Sequence, residues 1–146
     1  MLRILVVEDS SSTRALVRAI LEEPDFEKMH GRNGVEVTEA ESGFDAMRFL
    51  PRGHFDLVVT DINMPDINGL ELIQFIRESP HMKDTPILVI STQAAERDIS
   101  RGLALGANAF VAKPFTSEAL RDACAGLLRA PLTPSAKLRA AQKAGP

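Results

Sequence analysis

Short apolar runs recur along the chain, and each gives way to polar residues. Ile4-Leu5-Val6-Val7 runs into Glu8-Asp9, Leu57-Val58-Val59-Thr60 into Asp61, Ile87-Leu88-Val89-Ile90 into Ser91-Thr92, and Ala109-Phe110-Val111-Ala112 into Lys113-Pro114. Continuous runs this short suit strands buried on both faces. Between them, apolar residues recur at helical spacing, as in Leu16, Val17, Ile20 and Leu21, or Phe44, Met47 and Leu50. The pattern predicts strands over 2–7, 35–40, 55–60, 86–90 and 109–112, and helices over 13–22, 43–50, 70–76, 95–105 and 116–128. Ser10 to Ser12 and Thr116 or Ser117 offer capping hydroxyls, Gly106 a C-terminal cap and Pro80 a stop. Strands alternating with helices mark βαβ units and a parallel α/β sheet with helices on both faces.

That arrangement gives the polar residues their meaning. The carboxyl ends of parallel strands share one edge, where such sheets bind ligands. Glu8, Asp9, Asp61, Ser91 and Lys113 would therefore converge. A carboxylate at the end of a buried strand needs a partner, because an unpaired buried charge is costly.

Composition narrows the class. A chain of 146 residues, 45% hydrophobic and 25% charged, suits one globular domain with one sizeable core. No apolar stretch approaches a membrane span, and the N-terminus enters a strand at once, so neither membrane insertion nor a leader is expected. Cys124 is the only cysteine, which excludes a disulfide framework and fits a cytoplasmic protein. His30, His54 and His81 are too scattered for a zinc site. The net charge of −3 is uneven, because Arg129, Lys137, Arg139 and Lys143 follow the last acid, Asp122. This basic stretch reads as a solvated tail over 130–146, beginning with Pro131 and Pro134. No helix-turn-helix follows Leu128, so direct nucleic-acid binding is not expected. The polar stretch 25–34, with Gly31 and Gly34, reads as a surface insertion on the edge away from the acids.

Three carboxylates at one point repel unless a cation compensates. Carboxylates, a carbonyl and waters are what Mg2+ prefers, with Mn2+ as a substitute. Glu8, Asp9 and Asp61 supply the acids, and the Asn63 carbonyl is placed to complete the protein ligands. Lys113 would pair from the other side. Such a site suits phosphoryl transfer. The Asp61 carboxylate attacks in line to form an acyl phosphate, Lys113 and the cation neutralise the equatorial oxygens, and the Ser91 hydroxyl holds the transferred group.

With these residues in order, the chain resembles the receiver domains of bacterial two-component response regulators, most closely the stand-alone chemotaxis type. The resemblance rests on Glu8-Asp9, on Asp61-Ile62-Asn63-Met64-Pro65 leading to Gly69, on Ser91-Thr92, and on Gly106-Ala107 leading to Lys113-Pro114-Phe115. It covers residues 2–129, and a receiver domain over 1–129 is expected. It implies a flavodoxin-like, doubly wound, five-stranded parallel sheet of order 2-1-3-4-5 with five helices. It makes Asp61 the phosphoacceptor and a sensor histidine kinase the donor. Asp9, Asp61 and the Asn63 carbonyl would hold Mg2+, with Glu8 acting mainly through water. Ser91 would shift toward the phosphoryl group, Lys113 would pair with it, and the Lys113–Pro114 bond would be cis. Phe110 stands where the family carries a switch aromatic, often tyrosine, whose rotamer follows Ser91. The output would be read by a protein target on the face made by the last two helices and the fifth strand. Asn63, Met64, Thr92 and Gln93 would tune self-dephosphorylation.

The resemblance thus implies a single-domain regulator in chemotaxis, motility or a related phosphorelay. Such a protein is no enzyme beyond its own phosphorylation and dephosphorylation. A monomer is expected, with a phosphorylation-dependent dimer through the last two helices as the alternative. A phosphate sink or shuttle, and a receiver piece of a larger regulator, stay open. A hydrolase using an aspartyl phosphate would need a cap that no segment supplies. A degenerate receiver is opposed by the intact acids, Ser91 and Lys113. Phe110 lacks the tyrosine hydroxyl, the 25–34 loop is longer than the family minimum, and the tail has no family role.

Overall fold

A computed structural model describes residues 2–24, 26, 34–92 and 96–129, the side chains of Glu96, Asp98 and Arg129 excepted. The expected 25–34 insertion, Gln93 and the tail over 130–146 therefore lie, wholly or nearly so, outside the described residues. The elements run β1 (Leu2–Val7), α1 (Ser11–Leu21), β2 (Val35–Ala40), α2 (Gly43–Phe49) with a 3-10 turn over Leu50–Arg52, and β3 (Leu57–Asp61). They continue with α3 (Gly69–Glu78), β4 (Ile87–Thr92), α4 (Glu96–Leu105), β5 (Ala109–Lys113) and α5 (Ser117–Arg129). All strands are parallel, in the order β2-β1-β3-β4-β5. This is the doubly wound, flavodoxin-like architecture with five strands and, among the described residues, five helices.

The apolar runs are continuous because both faces of the sheet are covered. Leu5, Val7, Val58, Ile87 and Val89 pack with Ala46, Leu50, Leu72, Ile73, Ile76 and Ile99 of α2, α3 and α4 and the turn after α2. The alternate residues Ile4, Val6, Leu57, Val59, Leu88 and Ile90 pack with Val17, Ile20, Leu21, Leu120, Cys124 and Leu127 of α1 and α5. Each fully buried aliphatic side chain contributes about 1.5–3 kcal/mol. Burial also pushes the Cys124 thiol up to about 12, so it serves as an apolar core group.

Several boundaries differ from the expected ones. β3 begins at Leu57, because Phe55 and Asp56 precede the ladder. Asp56 instead binds Arg3 directly, its N–H donating to the Arg3 carbonyl at 2.7 Å and its carboxylate accepting the Arg3 N–H at 2.9 Å. At their far ends β3, β4 and β5 run one or two residues further than the apolar runs. Asp61 is paired in register with Ile90, and Thr92 with Lys113. Two expected core residues are exposed, Leu16 at 49% and Phe44 at 55%. In α2 the buried residues are Gly43 and Ala46, continued by Leu50 in the following turn, so Phe44 falls about 100° to the side of Gly43. Gly43 fits there because a Cβ would stand 2.6 Å from the Ile67 carbonyl oxygen.

The helix starts face the edge where the strands end. Ser10 caps α1 through a bond from the Thr13 N–H, Ser42 caps α2, and Asn68 forms a capping box with Glu71 on α3.

Candidate functional site

β1 and β3 are neighbours in the sheet, while their following helices α1 and α3 lie on opposite faces. The strand order reverses here, and the crevice outside their carboxyl ends holds the polar cluster. Ligand atoms of Glu8, Asp9 and Asp61 lie within 4.8 Å of one another, the one such acidic group among the described residues. Glu8 is fully buried, Asp61 is 6% exposed, and Asp9 is open to solvent.

Lys113 joins the cluster from β5. Its Nζ donates to Glu8 Oε1 at 2.6 Å and to Asp61 Oδ2 at 3.0 Å. Asp61 Oδ1 accepts the Ile62 N–H at 2.7 Å, so both oxygens of this carboxylate are engaged. Glu8 Oε2 accepts the Ser10 N–H at 3.1 Å. Burial is the largest influence on the Glu8 carboxyl and raises it above the usual range, with the neighbouring Asp9 and Asp61 adding to the rise and Lys113 opposing it. Burial alone would lower the Lys113 ammonium, but the bonds to Glu8 and Asp61 outweigh it and hold it raised.

The loop after Asp61 is shaped by backbone contacts. The Gly69 N–H donates to the Ile62 carbonyl at 2.9 Å. A Cβ on Gly69 would stand 2.2 Å from the Asp61 carbonyl oxygen, so only glycine lets α3 start this close to the strand end. Asp66 turns the loop at a φ of 65°, which an aspartate tolerates better than most residues.

Ser91, on β4, is fully buried, and its hydroxyl makes a long bond of 3.4 Å to the Thr92 carbonyl. Phe110 is 6% exposed and packs with Val89, Ile99 and Ala107 in the core between the sheet and α4. Asn63 and Thr92 are exposed, whereas Met64 is buried in the core cluster on the α2–α3 side. The Lys113–Pro114 bond is cis, as the resemblance implied.

Sequence reasoning missed Arg14. Its Nη1 donates to the Glu8 carbonyl at 2.8 Å, against the backbone that carries two of the acids. The only sequence signal was a cation in the first turn of a helix, where carboxylates are the favoured charge.

The donor set fits a hard divalent cation, because among the described residues three clustered carboxylates share one neutralising lysine. The family model of the response regulator receiver domain matches residues 4–125, and the chain belongs to that family. It is 34% identical over 121 residues to the chemotaxis protein CheY-3 of Vibrio cholerae serotype O1, covering 83% of this chain and 87% of that one. It is 31% identical to the chemotaxis protein CheY of Pseudomonas aeruginosa, covering 83% and 91%. Among solved structures it resembles the chemotaxis response regulator CheY4 of Vibrio cholerae, with a TM-score of 0.75 and 30% identity over 88% of this chain and 99% of that one. The protein is thus a CheY-type receiver domain, a signalling class within two-component systems. None of the described helices is long and apolar enough to cross a membrane.

Proposed function

We propose that this protein is a phosphorylation-controlled signalling switch. Asp61 accepts a phosphoryl group from a sensor histidine kinase, and the acceptor state changes affinity for a protein target. The observation that carries this reading is the preset Asp61 carboxylate. It stands at a strand end between Lys113 at 3.0 Å and its own Ile62 N–H at 2.7 Å, beside two further acids. Holding the nucleophile in one orientation before reaction removes part of the entropic barrier.

An Asp61 oxygen donates its electron pair to the phosphorus of a phosphohistidine. The P–N bond breaks, and the imidazole leaves with a proton. Mg2+, or Mn2+ in its place, would be held by Asp9, Asp61 and the Asn63 carbonyl, with Glu8 in support, and supplies charge neutralisation for the phosphoryl oxygens. Lys113 transfers from Asp61 to the new phosphoryl group while keeping Glu8. The Ser91 hydroxyl exchanges its long bond to Thr92 for a phosphoryl oxygen. That movement frees space behind Ser91, and Phe110 turns into it. The surface of α4, β5 and α5 then presents a different face to the target. The exposed Asn63 and Thr92 set how long the acyl phosphate survives by controlling where water can approach. The names of the relatives favour chemotaxis as the pathway, and the reading implies the cytoplasm as the compartment.

The test is phosphorylation by a small donor such as phosphoramidate, read by intact mass with and without Mg2+. One phosphoryl group should appear on the wild type only with Mg2+, and none on Asp61→Asn. Equal labelling of the two proteins would refute Asp61 as acceptor.

A further inference from the structure

Arg14 takes no part in the chemistry above, yet its side chain is only 12% exposed and its guanidinium faces three groups. Besides the Glu8 carbonyl, Nε donates to Glu39 Oε1 at 3.1 Å and Nη2 faces Glu41 at 3.8 Å. Glu39 is held in turn by Arg18 Nη1 at 2.6 Å. From the other side, the Glu8 N–H donates to the Ala40 carbonyl at 3.1 Å. That bond closes the β1–β2 ladder at the Val7–Ala40 pair, and beyond it the Arg14 bond holds the Glu8 carbonyl. The Glu8 carbonyl belongs to the peptide plane that leads into Asp9. Asp9 is exposed and has no ladder contact of its own to aim it.

We propose that Arg14, anchored by Glu39, is a positioning residue for the Mg2+ site. It fixes the Glu8–Asp9 peptide so that the Asp9 carboxylate meets those of Glu8 and Asp61. This rests on the reading of the acidic triad as a metal site. It makes a counterintuitive statement about sign. By Coulomb's law alone, a cation near three acids weakens metal binding, and its removal should tighten it. Positioning predicts the opposite, because outer groups that orient ligands are worth about 10–100-fold in metal affinity. The fork of arginine matters as well as its charge, since Lys cannot serve the Glu8 carbonyl and Glu39 together. Arg18 provides the control. It belongs to the same ionic network, through Glu39 and Glu22, but does not touch the Glu8 backbone.

Mg2+ is titrated calorimetrically into the full chain and into R14Q, R14K, E39A and R18Q, with metal-free thermal unfolding measured alongside. R14Q should bind Mg2+ about tenfold more weakly, at the lower end of outer-group effects. R14K and E39A should fall between R14Q and wild type, and R18Q should match wild type in affinity while losing comparable thermal stability. Equal or tighter binding by R14Q overturns the proposal, as does an equal loss in R18Q. If R14Q does not fold, R14K and E39A carry the same comparison. A wild type that takes up no Mg2+ overturns the metal site itself, a failure visible without any variant.

Discussion

Glu8 and Lys113 show how one residue pair balances opposing demands. The Glu8 carboxyl is raised chiefly by burial, while Lys113 is held charged by the two acids it bridges. An acid raised on folding contributes most below its unfolded value of 4.5, and that contribution is lost as pH rises through the raised value. Charged Glu8 is therefore a burden on the metal-free protein at neutral pH. Glu8→Gln should raise the metal-free midpoint of thermal unfolding near pH 8, because it removes a buried charge. The gain should vanish as pH falls below the ordinary carboxylate range. Thermal scans of both proteins across pH check this, and a gain that grows toward acid would contradict it. Glu8, Asp61, Ser91 and Lys113 were legible in the sequence because each directly follows an apolar run, with Asp9 next after Glu8, and parallel strands bring such ends together. Arg14 was not legible, since its partners Glu8 and Glu39 meet it only once β1, β2 and α1 have packed. Nor was the exposure of Leu16 and Phe44, because apolar spacing alone does not say which stripe of a helix turns inward.

Among the elements, α3 carries the most constraint. Its start lies against the Asp61 carbonyl, where the Gly69 Cα leaves no room for a Cβ. Gly69→Ala should destabilise the fold by about 3 kcal/mol, as overpacking at a rigid backbone contact does, and should weaken Mg2+ binding by displacing Asp61. Urea unfolding with a parallel Mg2+ titration reads both effects, and a stability loss without an affinity loss would separate helix from site. At its other end, Arg77 Nε and Nη2 donate to the Gly106 carbonyl, Nη1 to the Lys83 and Thr85 carbonyls, and Nη2 also to Asn108 Oδ1. Buried Asn108 passes the connection on by accepting the Ile87 N–H at 2.7 Å. Arg77 thus ties the end of α3 to the starts of β4 and β5, the strands that carry Ser91 and Lys113. Arg77→Lys keeps the charge and loses the fork, and should cost about 2 kcal/mol in urea unfolding. The order of elements and a parallel sheet covered on both faces were evident from alternating runs, while the strand order came with the family resemblance. The strand ends were not, because ladder pairing continues past the last apolar residue into Asp61, Thr92 and Lys113.

For the whole molecule, the proposed Mg2+ site, built of acids that repel one another, would couple ligand to stability. Mg2+ at about a hundredfold above its dissociation constant should stabilise the fold by about 2.7 kcal/mol, and Asp9→Asn should lose most of that response. The Glu39 carboxyl has the opposite pH sense to Glu8. The bond from Arg18, the largest influence, holds the Glu39 carboxyl below its usual range, so its contribution exists at neutral pH and disappears as acid protonates it. The central claim concerns one atom of one residue, and borohydride trapping tests it most directly. The phosphorylated protein is reduced and digested, and the peptides are read by mass. An acyl phosphate on Asp61 is reduced to homoserine, so the account predicts homoserine at position 61 and aspartate at position 9. Homoserine at another position, or no conversion in protein that carries the phosphoryl mass, would contradict it.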